Sequence, residues 1–113
     1  MKRGEIFLCD FGDPIGSGPG YVRPVVIVQD DRFNNSGIAT TVALAMTSNV
    51  KYKSHPGCCL ISKEESGLDK DSVVNATQIA CVDKSQLISV IGSIPDELMI
   101  YIESCMKVVL GLE

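Results

Sequence analysis

The stretch Arg23-Pro24-Val25-Val26-Ile27-Val28-Gln29 places four consecutive apolar residues between a proline and a glutamine. A run this short is typical of a buried β-strand. Because a residue before proline is biased away from the helical conformation, Arg23 is expected in extended backbone, where the preceding loop meets the strand. The segment therefore predicts a sheet, and the spacing of similar runs predicts its kind.

Six further apolar runs occur along the chain, separated by turn residues. Together with Val25–Gln29, the predicted strands are Glu5–Cys9, Thr41–Met46, Cys58–Ile61, Ser72–Asn75, Gln78–Val82 and Leu87–Ile91. Most of them lie too close together for helices to fit between, which excludes a parallel βαβ sheet. The spacing predicts a mainly β fold in which an antiparallel sheet curls into a small barrel.

The C-terminal segment has a helical period instead. From Pro95 onward, apolar residues fall on one stripe: Leu98, Ile102, Cys105, Met106 and Val109. Charged residues occupy the opposite stripe, Pro95 suits a first helical turn, and Gly111 suits the end. We expect one amphipathic α-helix packed on the barrel, and a further short helical turn within Lys63–Lys70.

Length and composition bound the class of protein. The chain has 113 residues, of which 45% are hydrophobic, so residues 1–113 are expected to form one domain. No stretch approaches the roughly 20 apolar residues of a membrane span, and the charged N-terminus lacks a following apolar segment. We expect a soluble, cytoplasmic protein that does not bind a membrane. The five cysteines lack C-x-x-C spacing and are expected to be mostly buried, so no metal or other cofactor is predicted.

Charge is unevenly distributed along the chain. The net charge of -4 argues against nonspecific coating of nucleic acid. Residues 1–57 nevertheless hold six Lys or Arg against five Asp or Glu, whereas residues 58–113 hold four against nine. An anionic ligand is therefore expected on the first half.

Two loops carry the candidate chemistry. The first, Gly12–Val22, contains four glycines and two prolines, so it can neither pair as a strand nor continue as a helix. The second, Thr47–Gly57, includes Lys51-Tyr52-Lys53-Ser54-His55, which interleaves positive charge with an aromatic ring. That combination suits binding of a single-stranded nucleic acid, although short lysine-rich loops are more often simply solvated.

Standard catalytic motifs such as the P-loop, H-E-x-x-H and G-x-S-x-G are absent, and a single histidine excludes a two-histidine ribonuclease. The guanidinium of Arg23 can bind a phosphate in a forked geometry, or it can pair with a surface carboxylate. The hydroxyl of Thr47 can donate to a phosphate, or it can bond to nearby backbone as a turn residue. Asn75 and Gln78 carry amides able to read base edges, although Asn75-Ala76-Thr77 is equally well explained as a turn.

The order of several motifs closely resembles the MazF/PemK family of toxins over essentially the whole chain. The motifs are Arg3-Gly4-Glu5-Ile6-Phe7, Gly16-Ser17, Arg23 to Gln29, Thr47-Ser48-Asn49, Glu65-Ser66-Gly67-Leu68, Lys70 to Asn75, Gln78-Ile79, Val82-Asp83-Lys84 and Pro95-Asp96-Glu97-Leu98-Met99. The resemblance implies an SH3-like β-barrel of the CcdB/PemK type with a C-terminal helix. It also implies a homodimer that cuts single-stranded RNA at short sequences and is restrained by a cognate MazE-like antitoxin.

By similarity, Arg23 and Thr47 match the family's catalytic arginine and threonine. The reaction implied is metal-independent attack of the ribose 2′-OH on the adjacent phosphorus, which leaves a 2′,3′-cyclic phosphate and a 5′-OH. Contacts to RNA are expected from Ser17, Gly18, Tyr21, Ser48, Asn49, Lys51, Lys53, Asn75 and Gln78.

The first loop departs from the family. Many members have Gly-Ser-Glu-Gln where this chain has Gly16-Ser17-Gly18-Pro19, so a carboxylate able to take the 2′-OH proton is missing at Gly18. His55 and Asp13 are the candidate acid/base residues. Two alternatives stay open: a non-catalytic binding module of the same fold, and a toxin directed at DNA gyrase.

Overall fold

Six strands form one antiparallel sheet in the computed structural model, which describes residues 1–112; Glu113, the end of the predicted domain, lies outside the described residues. The strands are β1 (Glu5–Asp10), β2 (Val22–Ile27), β3 (Thr40–Thr47), β4 (Cys58–Ile61), β5 (Ser72–Asp83) and β6 (Leu87–Ser93). Their order across the sheet is β4-β5-β3-β2-β1-β6. The prediction of a mainly β, antiparallel fold is confirmed.

Helical segments fill the connections. The α-helices are α1 (Asp31–Asn34), α2 (Lys63–Ser66) and α3 (Asp96–Leu110), and 3-10 helices cover Val50–Ser54 and Lys84–Gln86. The expected C-terminal helix and the expected turn near Ser66 are both present, and Gly111 ends α3 in the left-handed conformation at φ 69°. Among residues 1–112, no helix combines the length and apolar character of a transmembrane span.

The sequence did not predict α1, which is only one turn long. Asp30 caps this helix by accepting hydrogen bonds from the side chain and backbone N–H of Arg32. Those bonds lower the pKa of Asp30 to about 2. Asx caps of this kind stabilise segments too short to show a hydrophobic period.

Strand β2 is buried on both faces, which explains its continuous apolar run. Val26 of this strand belongs to the larger hydrophobic cluster, as does Val28 just beyond it, and Val25 and Ile27 belong to a second one. The strand covers Val22–Ile27 instead of the predicted Val25–Gln29. It begins earlier because its first residues already pair with β1, and it ends earlier because the N–H groups of Val28 and Gln29 both donate to the Val42 carbonyl.

The predicted strands Ser72–Asn75 and Gln78–Val82 are one strand, β5, interrupted by a bulge. Leu44 of β3 pairs with Ile79 and the next residue, Ala45, pairs with Asn75, so residues 76–78 have no partner on β3. Within the bulge, Asn75 Oδ1 accepts hydrogen bonds from the N–H of Thr77 at 2.9 Å and from its hydroxyl at 2.5 Å. The expected turn is thus a local Asx turn that leaves the strand continuous.

Helix α3 covers the larger cluster. Ile102 is completely buried there and Met99 almost so, next to Ile6, Leu44 and Val74 of the sheet. Four of the five residues of the predicted apolar stripe pack on this cluster, whereas Val109 is 37% exposed, and the opposite face of the helix is open to solvent.

Replacing Ile102 by alanine should lower the free energy of unfolding by about 2–5 kcal/mol, because a buried side chain is lost and a cavity remains. Ile100, on the same helix, is 65% exposed, so Ile100→Ala should change the free energy by no more than about 0.5 kcal/mol. Urea denaturation followed by circular dichroism measures both, and equal losses would contradict the assigned packing face.

Candidate functional site

A cleft of about 240 Å³ opens where β2, β3, the β5 bulge and the two long loops meet. It is lined by Arg23, by Ala45, Met46 and Thr47 of β3, by Asn75 and Gln78 of β5, by Ser17 and Gly18 of the first loop, and by Tyr52 of the second. Six residues predicted from sequence therefore line one cleft: Arg23, Thr47, Ser17, Gly18, Asn75 and Gln78.

Arg23 supplies the only formal charge among the lining residues. It lies near the start of β2, opposite Cys9 of β1, and is half-buried. Among residues 1–112 the ion pairs are Arg3 with Glu103 and Arg32 with Asp30, so Arg23 has no carboxylate partner there. The guanidinium is thus an unneutralised positive charge facing a cleft, and not half of a surface ion pair.

Thr47 is the last residue of β3, and its hydroxyl makes one hydrogen bond within residues 1–112. The oxygen accepts a hydrogen bond from the Asn49 N–H at 3.1 Å, which is the turn interaction expected of a threonine at a strand end. Accepting that bond occupies a lone pair and leaves the hydroxyl proton available for donation. Thr47 therefore brings a donor to the cleft that contains Arg23.

The first loop is attached to the cleft through Gln78. Its side-chain N–H donates to the Ser17 carbonyl at 3.2 Å, which joins residues 61 positions apart. For residues 13–20, this is the one hydrogen bond in the described structure to a residue outside the loop. Gln78 was predicted to read base edges, but one of its donors instead holds the loop tip in place.

Asn75 lies at the start of the bulge, with its side-chain oxygen engaged by Thr77. Its amide group remains the donor at the cleft. The bulge is also held from the second loop, since the Ala76 N–H donates to the Gly57 carbonyl at 2.8 Å.

Tyr52 lines the cleft although it was not among the predicted contacts. It lies on the 3-10 helix Val50–Ser54, is 42% exposed, and contacts the His55 ring edge to face with the ring centroids 5.0 Å apart. The signal for it was the aromatic residue between Lys51 and Lys53. An exposed aromatic ring beside an unpaired cation suits stacking of a nucleobase.

The family model of the PemK-like, MazF-like toxin of type II toxin-antitoxin systems matches residues 2–110. The chain belongs to this family. Among curated relatives, endoribonuclease MazF6 of Mycobacterium tuberculosis (strain ATCC 25618 / H37Rv) is 37% identical over 112 residues, covering 99% of this chain and 98% of the relative. Endoribonuclease EndoA of Bacillus subtilis (strain 168) is 30% identical, covering 99% and 96%.

Solved structures of the family have the same fold. A mycobacterial endoribonuclease in complex with its cognate antitoxin superposes with a TM-score of 0.80 at 25% identity, covering 100% of this chain and 97% of the other. Form I of MazF from Deinococcus radiodurans gives a TM-score of 0.82 at 18% identity, covering 98% and 96%. The six-stranded antiparallel sheet with its C-terminal helix is thus the fold of the MazF/PemK family.

The remaining predicted residues of this MazF/PemK chain lie outside the lining. Lys51 and Lys53 are exposed on the Tyr52 helix, and Asn49 caps that helix by accepting from the Lys51 N–H. Ser48 faces a neighbouring cleft of about 300 Å³. The other three are exposed: Tyr21 at the base of the first loop with φ 58°, Asp13 within that loop, and His55 behind Tyr52.

Gln78→Ala should release the tip of the first loop, since it removes the hydrogen bond that ties Ser17 to β5. Amide exchange in a peptide covering residues 12–21 should then speed up on the order of 5-fold, the equivalent of about 1 kcal/mol for one hydrogen bond. Gln78→Glu keeps the size but lacks the N–H donor, and it should accelerate exchange equally. Unchanged exchange in both variants would show that Gln78 does not hold the loop.

Proposed function

We propose that this chain is an endoribonuclease toxin that cuts single-stranded RNA at short specific sequences and so arrests translation and growth. The observation that carries the proposal is the unpaired Arg23 guanidinium beside the Thr47 hydroxyl in one cleft. The named activity of its relatives as endoribonucleases supports the same reaction.

The reaction uses the ribose as its own nucleophile. The 2′-oxygen attacks the adjacent phosphorus and gives its proton to a base, while the bond from phosphorus to the 5′-oxygen breaks and that oxygen takes a proton. The products are a 2′,3′-cyclic phosphate and a 5′-OH. DNA lacks the 2′-OH, so it can occupy the cleft but cannot be cut this way.

Arg23 stabilises the negative charge that develops on the phosphoryl oxygens. A guanidinium stays protonated at neutral pH, so it is a fixed positive charge and a poor proton acceptor. Its lack of an ion pair supports this role, because no carboxylate must be displaced before a phosphate binds. Thr47 donates its free hydroxyl proton to the same phosphate.

Recognition of RNA is divided between charge, stacking and amides. Lys51 and Lys53 contact the phosphates next to the cleft, and Tyr52 between them stacks a base. Asn75 and the remaining donor of Gln78 read base edges. Ser17 and Gly18 of the first loop line the same cleft, and Gly18 has no side chain there that would keep a nucleotide from the loop backbone.

A residue other than Arg23 must accept the proton of the 2′-OH. His55 packs against the Tyr52 ring, with the ring centroids 5.0 Å apart, and is not among the residues that line the cleft, so we propose that it orients that ring. Asp13, on the same loop as Ser17, is the alternative acceptor, and movement of the loop tip would be needed to bring it to the substrate.

The proposed partners follow from charge and exposed apolar surface. Arg23, Lys51 and Lys53 give an acidic chain a local positive surface, which suits RNA and an acidic segment of a MazE-like antitoxin, and added salt should weaken both complexes. A homodimer is supported by β6, an edge strand whose Ile88 and Val90 are 58% and 53% exposed. The proposed site of action is the cytoplasm, where mRNA is translated.

Arg23→Ala should reduce cleavage of a mixed-sequence RNA by about 100- to 1000-fold in the presence of EDTA, because a preorganised charge is lost from the transition state. Thr47→Val should reduce it by about 10- to 100-fold, whereas Thr47→Ser should retain most activity. Cut ends mapped by sequencing and tested for a cyclic phosphate give the measurement.

Arg32→Ala is the matched control, since Arg32 is exposed and paired with Asp30 away from the cleft, and it should cut at the parent rate. Undiminished cleavage by Arg23→Ala would refute the assigned role. If the folded parent protein cuts no RNA, the alternative of a non-catalytic binding module is supported. Gyrase stalled on DNA would instead support the alternative of a gyrase-directed toxin.

The variant His55→Gln should have a pH–rate profile that coincides with that of the parent between pH 5 and 9, because imidazole is not the proton acceptor in this proposal. A modest rise in KM is expected as Tyr52 loses its neighbour. Loss of a limb of the profile in His55→Gln would instead identify His55 as the base.

A further inference from the structure

Two of the five cysteines, Cys59 and Cys105, meet where helix α3 packs on strand β4. Cys59 of β4 is completely buried, Cys105 of α3 is partly exposed, and their sulfur atoms lie 2.8 Å apart. Cys58, the sequence neighbour of Cys59, is also buried. The other two are distant from the pair, since Cys9 belongs to the second cluster and Cys81 is exposed.

The geometry of the pair suits bond formation between the two sulfurs. A disulfide needs a sulfur separation of about 2.0 Å, so the two sulfurs would have to approach each other by less than about 1 Å. The side chains around the pair do not converge as a group of metal ligands within residues 1–112. A pair of thiols in contact, one buried and one reachable from solvent, is the arrangement of an attacking and a resolving cysteine.

We propose that Cys59 and Cys105 are a modification site at which an oxidised low-molecular-weight disulfide, such as glutathione disulfide, forms an intramolecular disulfide joining β4 to α3. This inference is independent of RNA cleavage. It requires only the contact between the two thiols and access to Cys105.

The chemistry proceeds in two exchange steps. The Cys105 thiolate attacks one sulfur of glutathione disulfide, that S–S bond breaks, and the first glutathione leaves and takes up a proton. Cys59 then gives up its proton and attacks the Cys105 sulfur, which expels the second glutathione. Two protein thiols are oxidised, one disulfide is reduced, and two glutathione thiols are released.

The order of attack follows from exposure. Cys105 is the partly exposed member of the pair, whereas Cys59 is completely buried, so the first attack on a small disulfide is assigned to Cys105. Burial above all, and the hydrogen bond with Cys105, raise the pKa of the Cys59 thiol far above its ordinary value. Cys59 therefore acts second, on a sulfur that is already in contact with it.

The cross-link would join residues 46 positions apart, across the segment that contains α2, β5 and β6. Constraining so long a segment lowers the conformational entropy of the unfolded chain, and the native contact needs little adjustment to accommodate the bond. Oxidation should therefore raise the thermal midpoint.

The test uses the full chain carrying Cys81→Ser, which removes the exposed thiol. The reduced protein is incubated with glutathione disulfide and its intact mass is measured without reductant. We expect a loss of about 2 Da with no retained glutathione, a linked pair of peptides containing Cys59 and Cys105, and a rise in Tm of about 5 °C or more that dithiothreitol reverses.

Single variants test the order of the steps. Cys59→Ser leaves the attacking thiol without a resolving partner, so it should retain one glutathione adduct of about 305 Da on Cys105. Cys105→Ser should gain neither the adduct nor the 2 Da loss. A parent chain that stays fully reduced, that keeps the adduct, or that links Cys105 to Cys58 would overturn the assignment.

Discussion

The antiparallel pairing of β3 with β5, and the bulge within it, is the constraint on which the rest of the structure depends. A regular ladder opposite Leu44 and Ala45 would place residues 76–78 in register and carry Gln78 along the strand away from the first loop. The bulge instead leaves these residues without partners, so that Gln78 reaches Ser17. Thr47, three residues beyond Leu44 on β3, then lies on the same side as Asn75 and Gln78. A local irregularity thus gathers residues from three parts of the chain.

The bulge is itself held from two directions. Within the bulge, the Thr77 N–H donates a hydrogen bond to Asn75 Oδ1. From the second loop, the Gly57 carbonyl accepts a hydrogen bond from the Ala76 N–H. Gly57 has φ 81°, and a Cβ there would lie 2.8 Å from the Val109 side chain and 3.1 Å from that of Thr77. Only glycine permits the loop to pass between α3 and the bulge at this distance. The helix, the loop and the cleft are therefore packed as one unit.

Sequence reasoning succeeded where the signal is local and failed where it depends on register. The apolar run at Val25 and the helical stripe through Ile102 predict buried faces, and the structure has both. The positions of Arg23 and Thr47 at the cleft could also be predicted locally, because one is an arginine before a proline and the other a threonine at a strand end. The bulge was read as a turn because Asn75-Ala76-Thr77 has the same chemistry in either setting. Whether Tyr52 or His55 reaches the cleft is decided by a single turn of 3-10 helix, which no periodicity reveals.

The period of two along β5 separates the proposed chemistry from the thiol pair. Asn75 pairs with Cys58 and Val74 with Cys59, so the two chemistries lie one residue apart along the same ladder. Successive side chains of a strand point to opposite faces, and Asn75 turns to the cleft while Val74 and Cys59 turn to the core under α3. A cross-link at Cys59 would therefore lie on the core-facing side of the β4–β5 pair, opposite the side on which Asn75 lines the cleft. Because the Cys59 side chain is in the core and not in the cleft, it would stiffen this support without adding a group to the surface where RNA is proposed to bind.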